Sequence, residues 1–183
     1  MSNNWKLLGS RQVLSNAWLT LSQNRYELPG GAIVEDYYVL QRKDFALVVA
    51  RDGDSILLVR QFRAAMDQFY LALPGGYLDA GETPEEAAAR ELCEETGHTA
   101  ADFRLIGELH PLPAYLQSTG FVVACTLRGR AAPIQDVAEI DEVVKLPWSE
   151  VCRLITEGQI REMQAVAAIL LAREVLGSAA RSG

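Results

Sequence analysis

The sequence predicts an α/β protein in which helices cover both faces of a mixed β-sheet. The predicted elements run in the order strands, helix, strands, helices, whereas a doubly wound parallel sheet would alternate strand and helix regularly. Apolar residues make up 49% of the 183 residues and charged residues 22%, which is the balance of a globular protein. A chain of this length buries a core without disulfides, so we expect one main domain with a short N-terminal addition.

Strands are predicted through the first part of the chain. Residues 11–40 alternate loosely between apolar and polar side chains, and the Pro-Gly-Gly sequence at 29–31 interrupts them as a turn. Three further β-rich runs follow, at residues 45–50, 56–59 and 69–73. The glycine-containing segment 51–54 separates the first two of these runs, which predicts a β-hairpin.

Residues 83–97 carry the signals of a capped helix. Thr83 precedes Pro84 and stands three positions before Glu86, which is the pattern of a capping box with proline in the first helical turn. We expect the helix to run to about Thr96, because Gly97 is suited to a left-handed terminating conformation.

The remainder of the chain adds strands and then helices. Strands are predicted at residues 104–110, 119–127 and 142–146, and helices at 149–156 and 162–176. Gly158 is placed to stop the first of these helices, and the apolar stripe of the second is interpreted as core packing.

Charge and cysteine content exclude several classes of partner. The formal net charge of −7 repels a nucleic-acid backbone, so we expect no nucleic-acid partner, although a small anionic substrate could still bind a locally basic site. The cysteines are odd in number and widely separated, which suggests neither a zinc site nor a disulfide framework. They are Cys93, Cys125 and Cys152. We expect reduced thiols, a cytoplasmic location and no membrane partner, because residues 1–14 lack a signal-peptide core and no apolar run approaches the ~20 residues of a membrane span.

Three glutamates carry the main chemical signal. On a helical wheel, Glu91, Glu94 and Glu95 fall within a roughly 100° arc. The adjoining side carries residues suited to packing on a sheet, namely Ala88, Ala89, Leu92 and Thr96. Carboxylates crowded in a cleft repel one another unless a cation neutralises them, and such hard oxygen ligands suit Mg²⁺ or Mn²⁺. Considered alone, however, the three charges are more typical of a solvated acidic helix face.

The surrounding sequence decides between these two interpretations. Residues 76–82 run Gly-Tyr-Leu-Asp-Ala-Gly-Glu, and seven residues later the segment 90–97 runs Arg-Glu-Leu-Cys-Glu-Glu-Thr-Gly. This arrangement resembles the Nudix box, which reads G, five residues, E, seven residues, R-E-U-x-E-E-x-G-U, where U is a bulky apolar residue. Every charged and glycine position is filled at the right spacing, and the one departure is His98 at the final apolar position.

The resemblance implies a fold, an activity and a domain division. Nudix proteins form an α/β/α sandwich with a mixed β-sheet and hydrolyse a pyrophosphate bond in a nucleoside diphosphate compound, with metal ions that screen charge and activate water. Residues 43–183 would be the catalytic domain. Residues 1–42 would be a short N-terminal β segment, similar to the portion that exchanges between subunits in related dimers. We therefore expect a homodimer, in which an N-terminal aromatic residue stacks on the nucleobase.

The resemblance also implies roles for the residues of the box. Glu91 and Glu95 resemble direct metal ligands, and Glu94 a further ligand to the metal or to metal-bound water. The backbone carbonyl of Gly75 resembles the main-chain ligand of the family, and Glu94 and Glu95 are expected to serve catalysis. The structural members of the motif are Gly76, Glu82, Arg90 and Gly97. Among them, the arginine would orient the glutamates by charge-assisted hydrogen bonds.

Two features point to a substrate class. The Val-Arg-Gln-Phe-Arg sequence at 59–63 resembles the V-x-Q-x-R segment of the ADP-ribose and nucleotide-sugar branch, in which the last arginine, here Arg63, contacts substrate phosphate. Pro113 follows the box by 15 residues, a placement similar to that in ADP-ribose pyrophosphatases. Relatives often have a glycine and then an acidic residue after this proline, whereas this chain has Ala114 and Gln117. A plain surface arginine and a plain loop proline are the alternatives.

A loop glutamate between residues 136 and 142 acts as the catalytic base in relatives of this branch. We assign that role to Glu139, with Glu142 as the next candidate and an exposed acidic loop as the alternative. The expected reaction is Mg²⁺-dependent hydrolysis of ADP-ribose or a related nucleoside diphosphate sugar to a nucleoside monophosphate and a sugar phosphate. GDP-mannose, a dinucleotide or a nucleoside triphosphate are alternative substrates, and a non-catalytic Nudix ligand-binding module is an alternative of another class.

Overall fold

The computed structural model describes residues 4–131 and 140–179. Within it the chain forms two compact units. The first comprises residues 1–43 with 110–119, and the second comprises residues 44–109 with 120–183. The second unit is discontinuous in sequence, because the segment between two of its strands belongs to the first unit.

Eleven strands and three α-helices make up the described residues. The strands are β1 (Lys6–Ser15), β2 (Thr20–Glu27), β3 (Ile33–Gln41), β4 (Phe45–Asp52), β5 (Ser55–Arg63), β6 (Gln68–Ala72), β7 (Gly75–Tyr77), β8 (His98–Leu109), β9 (Leu116–Gln117), β10 (Gly120–Arg130) and β11 (Ile140–Pro147). The helices are α1 (Pro84–Thr96), α2 (Trp148–Thr156) and α3 (Met163–Ala179). No helix within residues 4–131 and 140–179 is long and apolar enough to span a membrane.

The first unit is a four-stranded sheet in the order β1-β2-β3-β9. The first three strands are antiparallel, and β9 pairs in parallel with β3. The predicted turn at 29–31 is confirmed between β2 and β3. Gly30 and Gly31 have φ angles of +100° and +90°, a region in which glycine is preferred because it has no Cβ.

The second unit is built on a seven-stranded mixed sheet in the order β11-β5-β4-β10-β8, with β6 and β7 paired to β5 and β4. Strand β10 runs parallel to β4, and the other pairs are antiparallel. Neighbouring residues of β4 point to opposite faces, so Val48 packs in one core with Leu92 of α1, and Val49 packs in another with Ile169 of α3. Helices therefore cover both faces of the sheet, which confirms the predicted fold class.

The sheet opens into two arms at one end. Strands β4 and β5 pair with each other only next to their hairpin, at Arg51 with Ile56 and Asp52 with Ser55. Farther along, β7 pairs with β4 and β6 pairs with β5. The link between β6 and β7 lies at the point where the two arms separate, which we call the fork. There the Pro74 carbonyl accepts a hydrogen bond from the Val48 N–H at 2.8 Å.

Two details of the sequence predictions were wrong. Strand β8 begins at His98 and not at residue 104, because its first residues pair with the end of β10, as His98 does with Arg130. Their polar and small side chains give little strand signal in the sequence alone. On α1 the fully buried alanines are Ala87 and Ala88, whereas Ala89 is only half-buried.

Candidate active site

Helix α1 begins and ends where the sequence predicts, and its caps fix the positions of the glutamates it carries. The Thr83 N–H donates to the Glu86 carboxylate at 2.8 Å, and the Glu86 N–H donates to Thr83 Oγ1 at 3.3 Å, so both halves of the capping box are present. At the other end Gly97 has a φ of 65°, and its N–H donates to the Cys93 carbonyl at 2.9 Å.

Glu95 is buried beneath the backbone of β7. Its side chain belongs to a residue only 6% exposed, and Oε2 accepts a hydrogen bond from the Gly75 N–H at 2.9 Å. A Cβ on Gly75 would lie 2.1 Å from the carbonyl oxygen of Ala46, so a side chain there would push β7 away from β4. The glycine therefore allows the close approach that brings the backbone to the carboxylate.

Glu91 lies against the next residue of the same strand. A Cβ on Gly76 would stand 2.3 Å from Glu91 Oε1 and 2.7 Å from Oε2, so the absence of a side chain makes the space that this carboxylate occupies. Burial raises the pKa of Glu91, and the Arg90 guanidinium opposes that rise. Glu91 and Glu95 thus both contact the Gly75–Gly76 backbone.

Arg90 ties the loop before the helix to the helix itself. Its Nε and Nη2 donate to the two carboxylate oxygens of Glu82, each at 2.9 Å, in a bidentate pair. Nη2 also donates to the Tyr77 carbonyl at 2.9 Å. Glu82 accepts a further bond from the Asp79 N–H at 2.8 Å. Hydrogen bonds from Arg90 and then from Asp79 lower the pKa of Glu82 to about 2.

The remaining nitrogen of Arg90 reaches the helix glutamates. Nη1 donates to Glu91 Oε1 at 2.7 Å and lies 3.2 Å from Glu94 Oε2. The bonds to Glu82 and Glu91 raise the pKa of Arg90, so the guanidinium stays charged. Glu94 is the most exposed of the three box glutamates, with 45% of its side chain accessible. One arginine thus contacts two of the carboxylates that the sequence proposed as metal ligands.

The donor chemistry of this site fits a divalent metal ion. Glu91 and Glu95 offer carboxylate oxygens beside the Gly75–Gly76 backbone, and hard oxygen donors suit Mg²⁺ and Mn²⁺. Within residues 4–131 and 140–179 no three His, Cys, Asp or Glu side chains gather closely enough to hold a metal by themselves. The hydrogen bonds explain this spacing, because Arg90 holds Glu91 and Glu94 while the Gly75 N–H holds Glu95.

Of the other predicted residues, Arg63, Pro113 and Glu142 lie outside β7 and α1. Arg63 ends β5 and forms an ion pair with Glu162 at 2.9 Å. Pro113 belongs to the first unit, where it lines a cavity of about 560 Å³. Glu139 lies outside the described residues, and Glu142 is exposed on β11.

Sequence reasoning missed two features. The cavity that Pro113 lines also contains three aromatic rings, those of Trp5, Tyr26 and Tyr37, packed edge to face with centroids 5.5–5.9 Å apart. The sequence could show that aromatic residues were frequent there, but not which of them meet. The Arg63–Glu162 pair left no sequence signal, because 99 positions separate its members.

Comparison with known proteins gives the family. The family model described as NUDIX domain matches residues 40–168. With the box residues assembled as described above, the chain belongs to the Nudix family of hydrolases, members of which generally use divalent metals. Residues 5–40 match a second model, the nucleoside diphosphate sugar hydrolase N-terminal domain.

Several curated relatives span most of the chain. An ADP-ribose pyrophosphatase of Bacillus subtilis is 27% identical over 172 residues, covering 90% of each chain. An ADP-ribose pyrophosphatase of Mycobacterium tuberculosis is 30% identical over 176 residues, covering 94% of this chain and 85% of the relative. A GDP-mannose pyrophosphatase of Klebsiella pneumoniae is 29% identical over 171 residues, covering 85% of each. The crystal structure of an ADP compounds hydrolase has the same fold, with a TM-score of 0.83 at 24% identity over 97% of this chain and 96% of that chain.

Proposed function

We propose that this Nudix hydrolase uses Mg²⁺ to hydrolyse the pyrophosphate bond of ADP-ribose or a related nucleoside diphosphate sugar. The products would be a nucleoside monophosphate and a sugar phosphate. The observation that carries the proposal is the contact of Glu91 and Glu95 with the Gly75–Gly76 backbone, beside a glutamate-bound arginine. The match of residues 5–40 to the nucleoside diphosphate sugar hydrolase N-terminal domain, together with the two ADP-ribose pyrophosphatases among the relatives, supports this substrate class.

Some residues of the cluster are assigned to bind the metal, and others to hold the metal-binding residues in position. Glu91, Glu95 and the Gly75 carbonyl would bind the metal, and the more exposed Glu94 would bind a second ion or a metal-bound water. A bound divalent metal supplies charge neutralisation, an activated water and stabilisation of the leaving phosphate. The Glu82–Arg90 pair keeps α1 fixed to the preceding loop, so that the carboxylates need not reorganise when substrate arrives.

The proton of the attacking water needs an acceptor. We assign this role to Glu139, with Glu142 as the next candidate, because a carboxylate beyond the box can accept the proton while the box glutamates stay on the metal. Arg63 is assigned to the substrate phosphates, since a guanidinium binds phosphate oxygens in a bidentate way.

An aromatic residue of the N-terminal segment is assigned to stack on the nucleobase across the proposed dimer. Aromatic rings bind the flat face of a base by stacking, and the Trp5, Tyr26 and Tyr37 rings supply such faces. Pro113 lines the same cavity as these rings, which gives it a packing role beside the base.

We further propose that the protein is a cytoplasmic homodimer joined through residues 1–42. The first unit exposes large apolar side chains that a monomer would leave in water. They include Trp5, Leu7, Val13, Leu14 and Trp18, each between 46% and 71% exposed. Several large apolar side chains exposed within one short segment are typical of an interface. Sedimentation measurements on the full chain and on a Trp18→Ser, Leu14→Ser variant test it, because a dimer joined here weakens in the variant.

The decisive experiment is a turnover panel with Mg²⁺ or with excess EDTA. The panel contains ADP-ribose, ADP-glucose, GDP-mannose, UDP-glucose, diadenosine polyphosphates and nucleoside triphosphates, and monophosphate release is measured. Metal-dependent release from ADP-ribose or a nucleotide sugar is the expected result. Turnover confined to triphosphates or dinucleotides refutes the substrate class and the role of Arg63. If no compound on the panel is turned over but calorimetry shows that one of them binds, a ligand-binding module is favoured.

A further inference from the structure

The ion pair between Arg63 and Glu162 joins two distant parts of the second unit. Arg63 is the last residue of β5, and Glu162 immediately precedes α3. The nitrogen–oxygen distance is 2.9 Å, and the two side chains are 36% and 21% exposed, so solvent screens this pair less than a fully exposed one. The contact requires the finished fold, because β5 and α3 are separated by several strands and by α1 and α2.

Glu162 is itself held in place. Its carbonyl accepts a hydrogen bond from the Val166 N–H at 3.0 Å, which makes it the capping residue of α3. The neighbouring Arg161 places its guanidinium 5.2 Å from the centroid of the Tyr70 ring on β6. Because the Glu162 carbonyl is bonded into α3 and the side chain of the preceding residue is packed on β6, the Glu162 carboxylate can fix the position of the arginine that it contacts.

Arg63 keeps donors for a further partner. A guanidinium has five N–H groups, and the bond to Glu162 uses Nη2 only. Nε of Arg63 is buried, and no residue in the described part of the chain accepts its hydrogen bond. The Arg63 side chain as a whole is 36% exposed, so its accessible N–H groups can bind a phosphate oxygen while Nη2 stays bonded to Glu162.

The position of Arg63 in the strand agrees with a substrate role. Arg63 pairs with Gln68 on the β5–β6 arm, and Gly75 pairs with Leu47 on the β4–β7 arm, so the arginine and the metal-site backbone belong to the two arms of the forked sheet.

We propose that Glu162 is a positioning residue, which holds the Arg63 guanidinium in the orientation that binds a substrate phosphate. This inference rests on the proposed function, because it gives Arg63 a phosphate to bind. Glu162 does not itself touch the substrate. Its negative charge balances the positive charge of Arg63 in the free protein. Because Glu162 is held at the start of α3, the ion pair restricts the rotamers that the long Arg63 side chain would otherwise sample.

A double-mutant cycle tests the inference. Glu162→Gln keeps the shape of the side chain but removes its charge. Arg63→Ala removes the guanidinium proposed to bind the substrate phosphate, and the double variant combines the two changes. We expect Glu162→Gln to raise KM for ADP-ribose about tenfold with kcat changed less than about twofold, since ground-state binding is lost. In the Arg63→Ala background, adding Glu162→Gln should change KM no further, so the double variant should have the KM of Arg63→Ala. Glu157→Gln, which disrupts an exposed pair with Arg153, is the matched control and should leave KM unchanged.

Each other outcome has a distinct meaning. If Arg63→Ala raises KM and Glu162→Gln does not, the positioning role is overturned while the proposed function stands. If Glu162→Gln has its full effect in the Arg63→Ala background too, the residue acts through the stability of α3, and the inference is again overturned. The same cycle measured as ADP binding by calorimetry needs no turnover, so it decides the role of Glu162 even if the proposed reaction is wrong.

Discussion

Alanine at Gly76 should separate catalysis from stability, because its Cβ meets only the end of a flexible side chain. The Cβ would stand 2.3 Å from Glu91 Oε1, whereas ordinary contact begins at 3.4 Å, so the carboxylate must move by about 1 Å. Gly76 does not have a positive φ, so alanine introduces no backbone strain. We expect kcat/KM to fall about 100-fold, the typical effect of a 1 Å misplacement, with the free energy of unfolding changed by less than about 1 kcal/mol.

Two other glycines make the experiment decisive. At Gly75 the Cβ would stand 2.1 Å from the Ala46 carbonyl, which is backbone and cannot rotate away, so alanine there should cost about 1–3 kcal/mol of stability as well as activity. At Gly129 the nearest atom is 3.7 Å away, so alanine should change neither quantity. Denaturant unfolding and turnover of the panel substrate are measured on all three variants. Wild-type turnover in Gly76→Ala would refute the placement of Glu91 in the metal site.

Three further predictions concern the same helix and loop. Glu95→Gln should abolish metal-dependent turnover, measured with Mg²⁺ titration, while ADP binding by calorimetry survives; undiminished turnover would exclude Glu95 as a ligand. Thr83→Ala removes the N-cap acceptor and should lower the unfolding free energy by about 1 kcal/mol in urea. The pKa of Glu82 falls from 4.5 to about 2 on folding, so its contribution is complete above pH 4.5 and is lost as the pH falls toward 2. Wild-type stability should therefore decline more steeply than that of Glu82→Gln between pH 5 and pH 2, and parallel curves would contradict the pairing.

The sequence predicted best what depends on neighbours along the chain. The capping box and the terminal glycine of α1 are signals within a few residues, and both caps formed as expected. The hairpin at 51–54 is equally local, and the structure confirms it. A helical wheel also placed the three glutamates on one arc of α1. It could not show that Glu95 is buried, because the Gly75 N–H that binds its carboxylate belongs to β7, a different element.

What the sequence could not supply comes from the assembly of distant segments. Residues 110–119 join the N-terminal unit through the pairing of β9 with β3, and two residues of β9 give no recognisable strand pattern. The partner of Arg63 could not be inferred, since any of 24 acidic residues could have faced it. The fork between β4 and β5 is equally invisible, because each strand alone has the apolar pattern of an ordinary buried strand.

The charges of the assembled site explain why its geometry is held so firmly. Four carboxylates, those of Asp79, Glu82, Glu91 and Glu94, lie within 4.0 Å of a single guanidinium, so Arg90 neutralises only part of their charge. An anionic pyrophosphate would be repelled by what remains, and a divalent cation removes that repulsion. Two of the three Arg90 nitrogens bind Glu82, which lies in the loop, and this leaves the helix glutamates with one shared nitrogen. The arginine thus secures the fold of the box while the helix carboxylates keep enough negative charge to bind a metal.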